Sequence, residues 1–416
     1  MKTICVIGLG YIGLPTAAMF ASTGKFRVIG VDINGNTVEA IQNGQTHLHE
    51  PCLGEKVARC VTQGTLVAQS EPAPADAFII AVPTPITSDK QADLSYVKAS
   101  AETLVPFLKP NNLVILESTV PPRTTQDILI PILAKSGLEI GRQILVAHCP
   151  ERVLPGRICY EMEHNSRIIG GINDISAQRT KQLYATFVKG EMYLTDATSA
   201  EMAKLMENTY RDVNIALANE LARISNKLGV NVWEAIAMAN KHPRVNLHLP
   251  GPGVGGHCIA VDPWFIVEKA PQEARLIRLA REINDSMPSH VALTIKQELE
   301  GIASPKVTLL GMTYKANVND CRESPSLKVK NILESFSFQV AAYDPMLRTA
   351  NMASTLEEAL AGSDLVVILV NHDAFASLDP AKVASLVRNR TVFDTKNMLE
   401  AAAWEKAGFK VIKLGC

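Results

Sequence analysis

The sequence predicts an α/β protein: two Rossmann-like, doubly wound domains joined by a long central helix and a helical dimerisation region. Three observations predict it. A β-rich run, a glycine fingerprint and a helix succeed one another over residues 3–22. A similar strand–loop–helix rhythm restarts at Lys306. Between them, a helical pattern free of proline and glycine runs from Ser199 to Leu228. The expected divisions are residues 1–195 for the first fold, 196–298 for the helical region and 299–416 for the second fold.

The composition fits that class. At 416 residues the chain exceeds one ordinary core. It is 47% hydrophobic, 20% charged and 5% aromatic, as expected of a globular enzyme. Lys plus Arg number 41 against 42 for Asp plus Glu, so no global field directs it to nucleic acid or membrane. No uninterrupted apolar run reaches the roughly 18 residues of a membrane span. Met1-Lys2 leads straight into a strand without signal-peptide architecture, and the eight cysteines include no CxxC. Reduced thiols and a cytoplasmic setting are the expectation. His47-Leu-His49-Glu50 is the nearest approach to a metal motif; it lacks a partner cluster and reads as a surface turn, so no metal is expected.

The first element is the strand Thr3–Ile7, followed by Gly8-Leu-Gly10-Tyr-Ile-Gly13 and a helix over Leu14–Ser22. The first glycine makes the turn, the second admits a pyrophosphate and the third lets helix pack on strand. The next strand, Arg27–Val31, ends in Asp32, 19 residues past Gly13. An acid there accepts ribose hydroxyls and repels a 2′-phosphate, and no arginine follows to receive one, so NAD is expected rather than NADP. Strands follow at Ala77–Val82, Leu113–Glu117 and Ile144–Ala147. In a parallel sheet, ligands gather outside the carboxyl ends of the strands. Thr84, Thr119, Glu151 and Arg152 therefore fall at the cofactor and substrate edge, with turn or cap roles as the alternative.

In the long helix Lys204, Asn208 and Arg211 recur at steps of four and three and share a face, with Glu201 and Asp212 close by. The alternative is a solvated face laced with salt bridges. Such a helix is roughly 45 Å long, enough to link two domains and offer a dimer surface. His242-Pro-Arg244 follows, suited to a ligand or subunit contact. Then comes the stretch where chemistry is expected, Gly251-Pro-Gly-Val-Gly-Gly-His-Cys-Ile-Ala-Val-Asp-Pro-Trp264, with four glycines in six residues. A helix beginning at the His257–Cys258 step would lower the thiol pKa from about 8.5 and bring Asp262 onto the same face. The competing reading is a buried, inert cysteine.

The second fold is read from Lys306–Leu310 with Gly311-Met-Thr-Tyr-Lys315, then Val340–Tyr343 with Asp344, Leu365–Leu369, and Thr391–Phe393 with Asp394. Thr313 stands where the fingerprint's second glycine would be, so a nucleoside diphosphate is a better guest than a dinucleotide. Lys315, Arg322, Ser324 and Ser326, around a helix start at Pro325, are candidate phosphate donors, with ordinary surface charge as the alternative.

At this point the motifs GLGYIGLP, EST (117–119), CPERVLPG (149–156), EMAKLMENTYRDVN (201–214), HPRVN (242–246), GPGVGGHCIAVDPWF (251–265) and GMTYKANVNDCRESP (311–325) resemble the UDP-sugar 6-dehydrogenases from end to end. CPERVLPG and HPRVN look most like the members acting on UDP-N-acetyl-D-mannosamine in polysaccharide biosynthesis. UDP-N-acetylglucosamine and UDP-glucose remain the alternative substrates. The resemblance implies four-electron oxidation of the sugar C6 alcohol to a carboxylate with two NAD, by a homodimer or higher homo-oligomer. It implies that the first fold holds NAD, that the helical region dimerises and that the second fold holds UDP. It matches Gly8, Gly10, Tyr11, Ile12, Gly13, Asp32, Thr84 and Thr119 to NAD contacts, and Arg322 to a cofactor contact from the far domain. It matches Cys258 to the nucleophile and Lys204 to the general acid/base. It matches Arg152, Val153, Lys204, Asn208, Arg211, His242, Arg244, Gly255 and Lys315 to the UDP-sugar site.

The chemistry explains these residue types. Hydride leaves C6 only as the hydroxyl loses its proton, to Lys204 or to a water held by Asp262. Thiolate attack by Cys258 on the aldehyde gives a thiohemiacetal, whose oxidation gives a thioester. Water activated by Glu151 or Asp262 hydrolyses it, with Lys204 and Asn208 stabilising the oxyanion and Thr119 at the cofactor edge. Two rivals remain: a two-electron β-hydroxyacid-type dehydrogenase, and a non-catalytic nucleotide-sugar-binding protein.

Overall fold

The computed structural model describes residues 2–48, 50–154 and 156–416. His49 of the HLHE segment and Pro155 of CPERVLPG lie outside them. Among the described residues no group of three or more His, Cys, Asp or Glu is placed to hold a metal ion, and no helix is long and apolar enough to cross a membrane. The chain divides into two compact units, Met1–Glu207 with Trp264–Glu273, and Asn208–Pro263 with Ala274–Cys416.

The first unit is built on a sheet of β1 (Lys2–Ile7), β2 (Phe26–Val31), β3 (Leu66–Gln69), β4 (Ala77–Ile80), β5 (Asn112–Leu116), β6 (Ile144–His148), β7 (Arg167–Gly171) and β8 (Met192–Asp196). The order is β3-β2-β1-β4-β5-β6-β7-β8, parallel through β6, with β7 antiparallel to β6 and β8 parallel to β7. Residues of β4 and β5 are buried throughout because apolar clusters cover both faces of the sheet, which is why these strands read as continuous apolar runs. Ile7 pairs with both Val31 and Ile80. The ends of β1, β2 and β4 are therefore level, and the strand order reverses between β1 and β4, where such sheets take their ligands.

The second unit carries a five-stranded parallel sheet: β9 (Lys306–Leu310), β10 (Gln339–Tyr343), β11 (Leu365–Ile368), β12 (Thr391–Asp394) and β13 (Lys410–Lys413), in the order β10-β9-β11-β12-β13. It too is covered on both faces. The long helix spans Ala197–Leu228, residues 197–207 belonging to the first unit and 208–228 to the second.

A buried polar ladder knits the helices of the second unit. Arg281, on the helix Arg275–Glu298, donates to Asp212 Oδ1 at 2.5 Å; Asn284 Nδ2 donates to the same oxygen at 2.8 Å. Asn219 Nδ2 donates to Asn284 Oδ1 at 2.8 Å, and Asn219 Oδ1 accepts the Gly251 N–H at 2.9 Å. Removing one rung would leave a buried polar group unpaired, at a cost of about 1–3 kcal/mol. The ladder's last rung fixes the start of the glycine-rich stretch.

Candidate active site

The glycine fingerprint combines a positive-φ turn, one open side and one close strand–helix contact. Gly8 has φ +89°, and a Cβ there would lie 2.6 Å from the Ala81 carbonyl oxygen. A Cβ on Gly13 would lie 1.7 Å from the Gly8 carbonyl oxygen, so strand and helix meet without a side chain between them. A Cβ on Gly10 would meet no heavy atom within 4 Å, the side open to a pyrophosphate. Asp32 is half-buried; Oδ2 accepts the Leu9 N–H at 2.8 Å and Oδ1 the Asn34 N–H at 2.9 Å, which fixes it beside the fingerprint. Tyr11 is exposed and Ile12 half-buried on the turn. The Thr84 hydroxyl donates to the Thr119 carbonyl at 2.6 Å, locking together the segments that leave β4 and β5. This cradle fits a dinucleotide without a 2′-phosphate.

Behind the edge of the first unit lies a fully buried charge cluster. Arg167 Nη2 donates to Glu151 Oε2 at 2.6 Å, while Nη1 stands 3.6 Å from Glu117 Oε1. The Tyr184 hydroxyl donates to Glu117 Oε1 at 2.7 Å and the Thr16 hydroxyl to Oε2 at 2.9 Å. Burial, opposed by Arg167, pushes the Glu117 carboxyl up to about 7. Glu151 also accepts the Arg152 N–H at 2.7 Å, and Arg152 in turn pairs with Glu207 at 2.6 Å and donates to the Ser166 carbonyl at 3.0 Å. Val153 beside it is half-buried.

The polar stripe of the long helix is not a solvated face: Glu201, Lys204, Asn208 and Asp212 are buried, and only Arg211 of the group is exposed. Glu201 accepts the Arg123 and Thr125 amides at 2.6 and 2.7 Å. Asn208 is a bridge; its Nδ2 donates to Asp262 Oδ2 at 2.6 Å and its Oδ1 accepts from Arg211. Lys204 stands one turn before Asn208 on the same helix.

Cys258 is exposed, not buried as the competing reading has it. The expected helix start is corrected: the helix is Asp262–Lys269, and residues 258–261 are a turn. A helix begun at Cys258 would place Pro263 in its interior, where the ring clashes with the carbonyl four residues back. The Cys258 carbonyl instead accepts the Val261 and Asp262 N–H groups at 3.1 and 2.9 Å. Asp262 is thus hydrogen-bonded to the cysteine's backbone and, through its carboxylate, to Asn208.

The glycines before Cys258 lie against the second fold. A Cβ on Gly255 would sit 2.6 Å from the Glu323 carbonyl oxygen and 3.0 Å from Tyr314 Cβ; one on Gly256, at φ +83°, would sit 3.0 Å from the Tyr314 ring. Pro252, Gly253, Tyr314, Lys315, Ser326 and Lys396, with neighbouring residues, line a cavity of about 290 Å³ in the second unit. Ser324 caps the helix Pro325–Ser335 at this wall, its hydroxyl accepting the Ser326 N–H at 3.2 Å. Lys396, past the end of β12, belongs to no motif in the sequence; its only signal is its place after Asp394 at a strand's carboxyl end. It is half-buried, and burial lowers its ammonium pKa against the pull of Asp394. Arg322 is bidentate on Asp320, at 2.9 and 2.8 Å. His242 and Arg244 share an exposed turn and do not line this cavity.

The fold and this edge geometry define a dinucleotide-dependent oxidoreductase with a second nucleotide site. The chain matches the UDP-glucose/GDP-mannose dehydrogenase family over three models: the NAD binding domain (residues 2–188), the central domain (198–286) and the UDP binding domain (308–401). It belongs to that family, and it is an NAD-dependent UDP-sugar dehydrogenase. It is 51% identical to a UDP-N-acetyl-D-mannosamine dehydrogenase of Methanococcus maripaludis, covering 100% of this chain and 97% of the relative. It is 47% identical to an NDP-N-acetyl-D-galactosaminuronic acid dehydrogenase of Ralstonia nicotianae, covering 96% and 97%. Among solved structures, a UDP-D-ManNAc dehydrogenase from Pyrococcus horikoshii superposes with TM-score 0.94 at 40% identity, covering 99% of both chains.

Proposed function

We propose that the protein oxidises C6 of UDP-N-acetyl-D-mannosamine to the carboxylate through a covalent thioester on Cys258. The observation that carries this reading is the exposed cysteine whose turn hands its carbonyl to Asp262, whose carboxylate is held by the buried Asn208. NAD, bound by Gly8, Gly10, Tyr11, Ile12, Gly13, Asp32, Thr84 and Thr119 and contacted by Arg322, supplies the hydride acceptor, twice per sugar. Residues 1–195 hold it, 196–298 carry the helix and the thiol, and 299–416 hold UDP.

The first oxidation removes a hydride from C6 and a proton from its hydroxyl; the proton passes to Lys204 or to a water held by Asp262. The Cys258 thiolate then adds to the aldehyde carbon, and the oxygen takes a proton from Lys204, giving a thiohemiacetal. Loss of the second hydride, with that proton, leaves the thioester. Water, activated by Glu151 or Asp262, adds to the acyl carbon; Lys204 and Asn208 stabilise the oxyanion and the thiolate leaves. The sum is alcohol, water and two NAD to carboxylate, two NADH and three protons. Arg152, Val153, Arg211, His242, Arg244, Gly255 and Lys315 bind the UDP-sugar.

The unit of function is a homodimer or a higher homo-oligomer. Tyr210, Leu217, Ile224 and Leu228 are exposed at steps of seven, seven and four along one helix face, an apolar stripe that a second copy would cover.

The test is NADH counted per sugar across UDP-ManNAc, UDP-GlcNAc and UDP-glucose, with product mass. Two NADH and uronate from UDP-ManNAc, and Cys258→Ala retaining only the first half-reaction, are expected. One NADH per sugar supports the two-electron rival, and no turnover on the panel supports a binding protein. Full acid production by Cys258→Ala would remove the thioester, and preference for another sugar would reassign the substrate.

A further inference from the structure

The two nucleotide folds of this chain use the same acid in different ways. In the second fold Asp344 stands just past β10, as Asp32 stands just past β2, and Oδ2 accepts the Met312 N–H at 2.6 Å as Asp32 accepts that of Leu9. Asp32 keeps part of its surface, whereas Asp344 is buried and faces a histidine. His372, beyond the end of β11, is itself fully buried. Its Nε2 lies 3.1 Å from Asp344 Oδ2 and 3.0 Å from Thr313 Oγ1. Its Nδ1 accepts the Asn317 N–H at 3.0 Å.

These contacts fix the tautomer. With Nδ1 occupied as an acceptor, the ring hydrogen is on Nε2 and points at the carboxylate and the threonine oxygen. The Thr313 hydroxyl donates elsewhere, to the Lys315 carbonyl at 2.8 Å, so its lone pairs are available to that hydrogen. The imidazole therefore grips both ends of the turn Thr313–Asn317. The residues between are Tyr314, Lys315 and Ala316, and all three line the cavity.

We propose that His372 is a positioning residue for the nucleotide diphosphate. It consumes the acid that the first fold leaves open to a cofactor, and in doing so sets the turn that aims Lys315 into the second-unit cavity. The inference rests on UDP binding in that cavity.

The experiment uses the full-length protein, UDP alone as the calorimetric probe, and steady-state kinetics with UDP-ManNAc. His372→Ala should weaken UDP binding and raise the sugar-nucleotide KM by about 10–100-fold, the scale of a misplaced binding group, with the KM for NAD unchanged. His372→Asn keeps an acceptor near Nδ1 and His372→Gln a donor near Nε2; at least one should recover most of the lost affinity. Thr313→Val, which removes one hydroxyl from the same network, should move KM in the same direction and serves if His372→Ala does not fold. Unaltered UDP affinity in these variants overturns the proposal, as does an equal loss for UDP and NAD. Lys315→Ala is the control on the underlying reading: wild-type protein that binds no UDP, or binds it no better than Lys315→Ala, removes UDP from this cavity and the proposal with it.

Discussion

Glu117→Gln should flatten the pH dependence of the first unit's stability. Glu117 and Glu151 share the single Arg167, and the geometry is unequal: the guanidinium is 2.6 Å from Glu151 and 3.6 Å from Glu117. Burial raises the Glu117 carboxyl from 4.5 to about 7 in spite of Arg167. A folded-state pKa above the unfolded one means that the fold prefers the protonated acid. Its contribution is fully present below pH 4.5 and is lost as the pH rises through 7. At 1.36 kcal/mol per pKa unit the loss amounts to roughly 3 kcal/mol. Glutamine is neutral throughout and can still accept from the Tyr184 hydroxyl while turning its amide to Thr16. The variant's stability relative to wild type should therefore grow by roughly 3 kcal/mol between pH 4.5 and 8. For a unit of this size that is a shift of roughly 6–12 °C in unfolding midpoint. Thermal unfolding of both proteins at pH 4.5, 6, 7 and 8 measures it. Parallel curves would show that the acid ionises without penalty, and the reasoning would fail.

Three further outcomes follow from the geometry. Lys204→Ala should lose about 10²–10⁴ in kcat, the usual scale for a general acid–base group, and a loss of only a few-fold would leave it a buried structural lysine. Gly255→Ala drives a Cβ to within 2.6 Å of the Glu323 carbonyl oxygen, overpacking that costs about 1–3 kcal/mol; KM for the UDP-sugar should rise while NAD binding, measured by fluorescence quenching, stays unchanged. Leu217→Glu with Ile224→Glu charges the exposed apolar stripe and should give a folded monomer in sedimentation velocity; an unaltered dimer would move the interface elsewhere.

Much of the fold was legible because the strands that carry it are buried on both faces and so stand out as apolar runs. Three edge strands lack that signal. β3, β8 and β13 sit at sheet edges, with burial alternating or partial, and β7 pairs antiparallel to a strand read as the last of its series. In the site, Cys258, Asp262, Asn208 and Arg211 were visible through short-range spacing and a glycine cluster. The bond between Asn208 and Asp262 spans 54 residues, and no periodicity encodes it. Arg167, His372 and Lys396 are single residues at or just beyond strand ends, each given its meaning by partners from distant parts of the chain. The misplaced helix start is different in kind, because Pro263 was in plain view and its clash with a preceding turn was the deciding term.

The two acids show why repeating one fold did not repeat one function. The βα turn after β1 offers an open Gly10 beside a half-exposed Asp32, so both the phosphate and the ribose hydroxyls can approach backbone and carboxylate. After β9 a threonine replaces that glycine, its hydroxyl is engaged by Lys315 and His372, and Asp344 has no surface left. A ribose seated there would have to displace a buried imidazole whose ring nitrogens are both bonded, leaving polar groups unpaired at about 1–3 kcal/mol each. The side chains that line the cavity on this side include two lysines, Lys315 and Lys396, the charge a diphosphate would be matched by. The same wall meets the chemistry through Tyr314, whose ring lies against Gly256, two residues before Cys258. A side chain at Gly256 would meet the Tyr314 ring at 3.0 Å, so the turn that carries Tyr314 and the loop that carries Cys258 are packed without room for one.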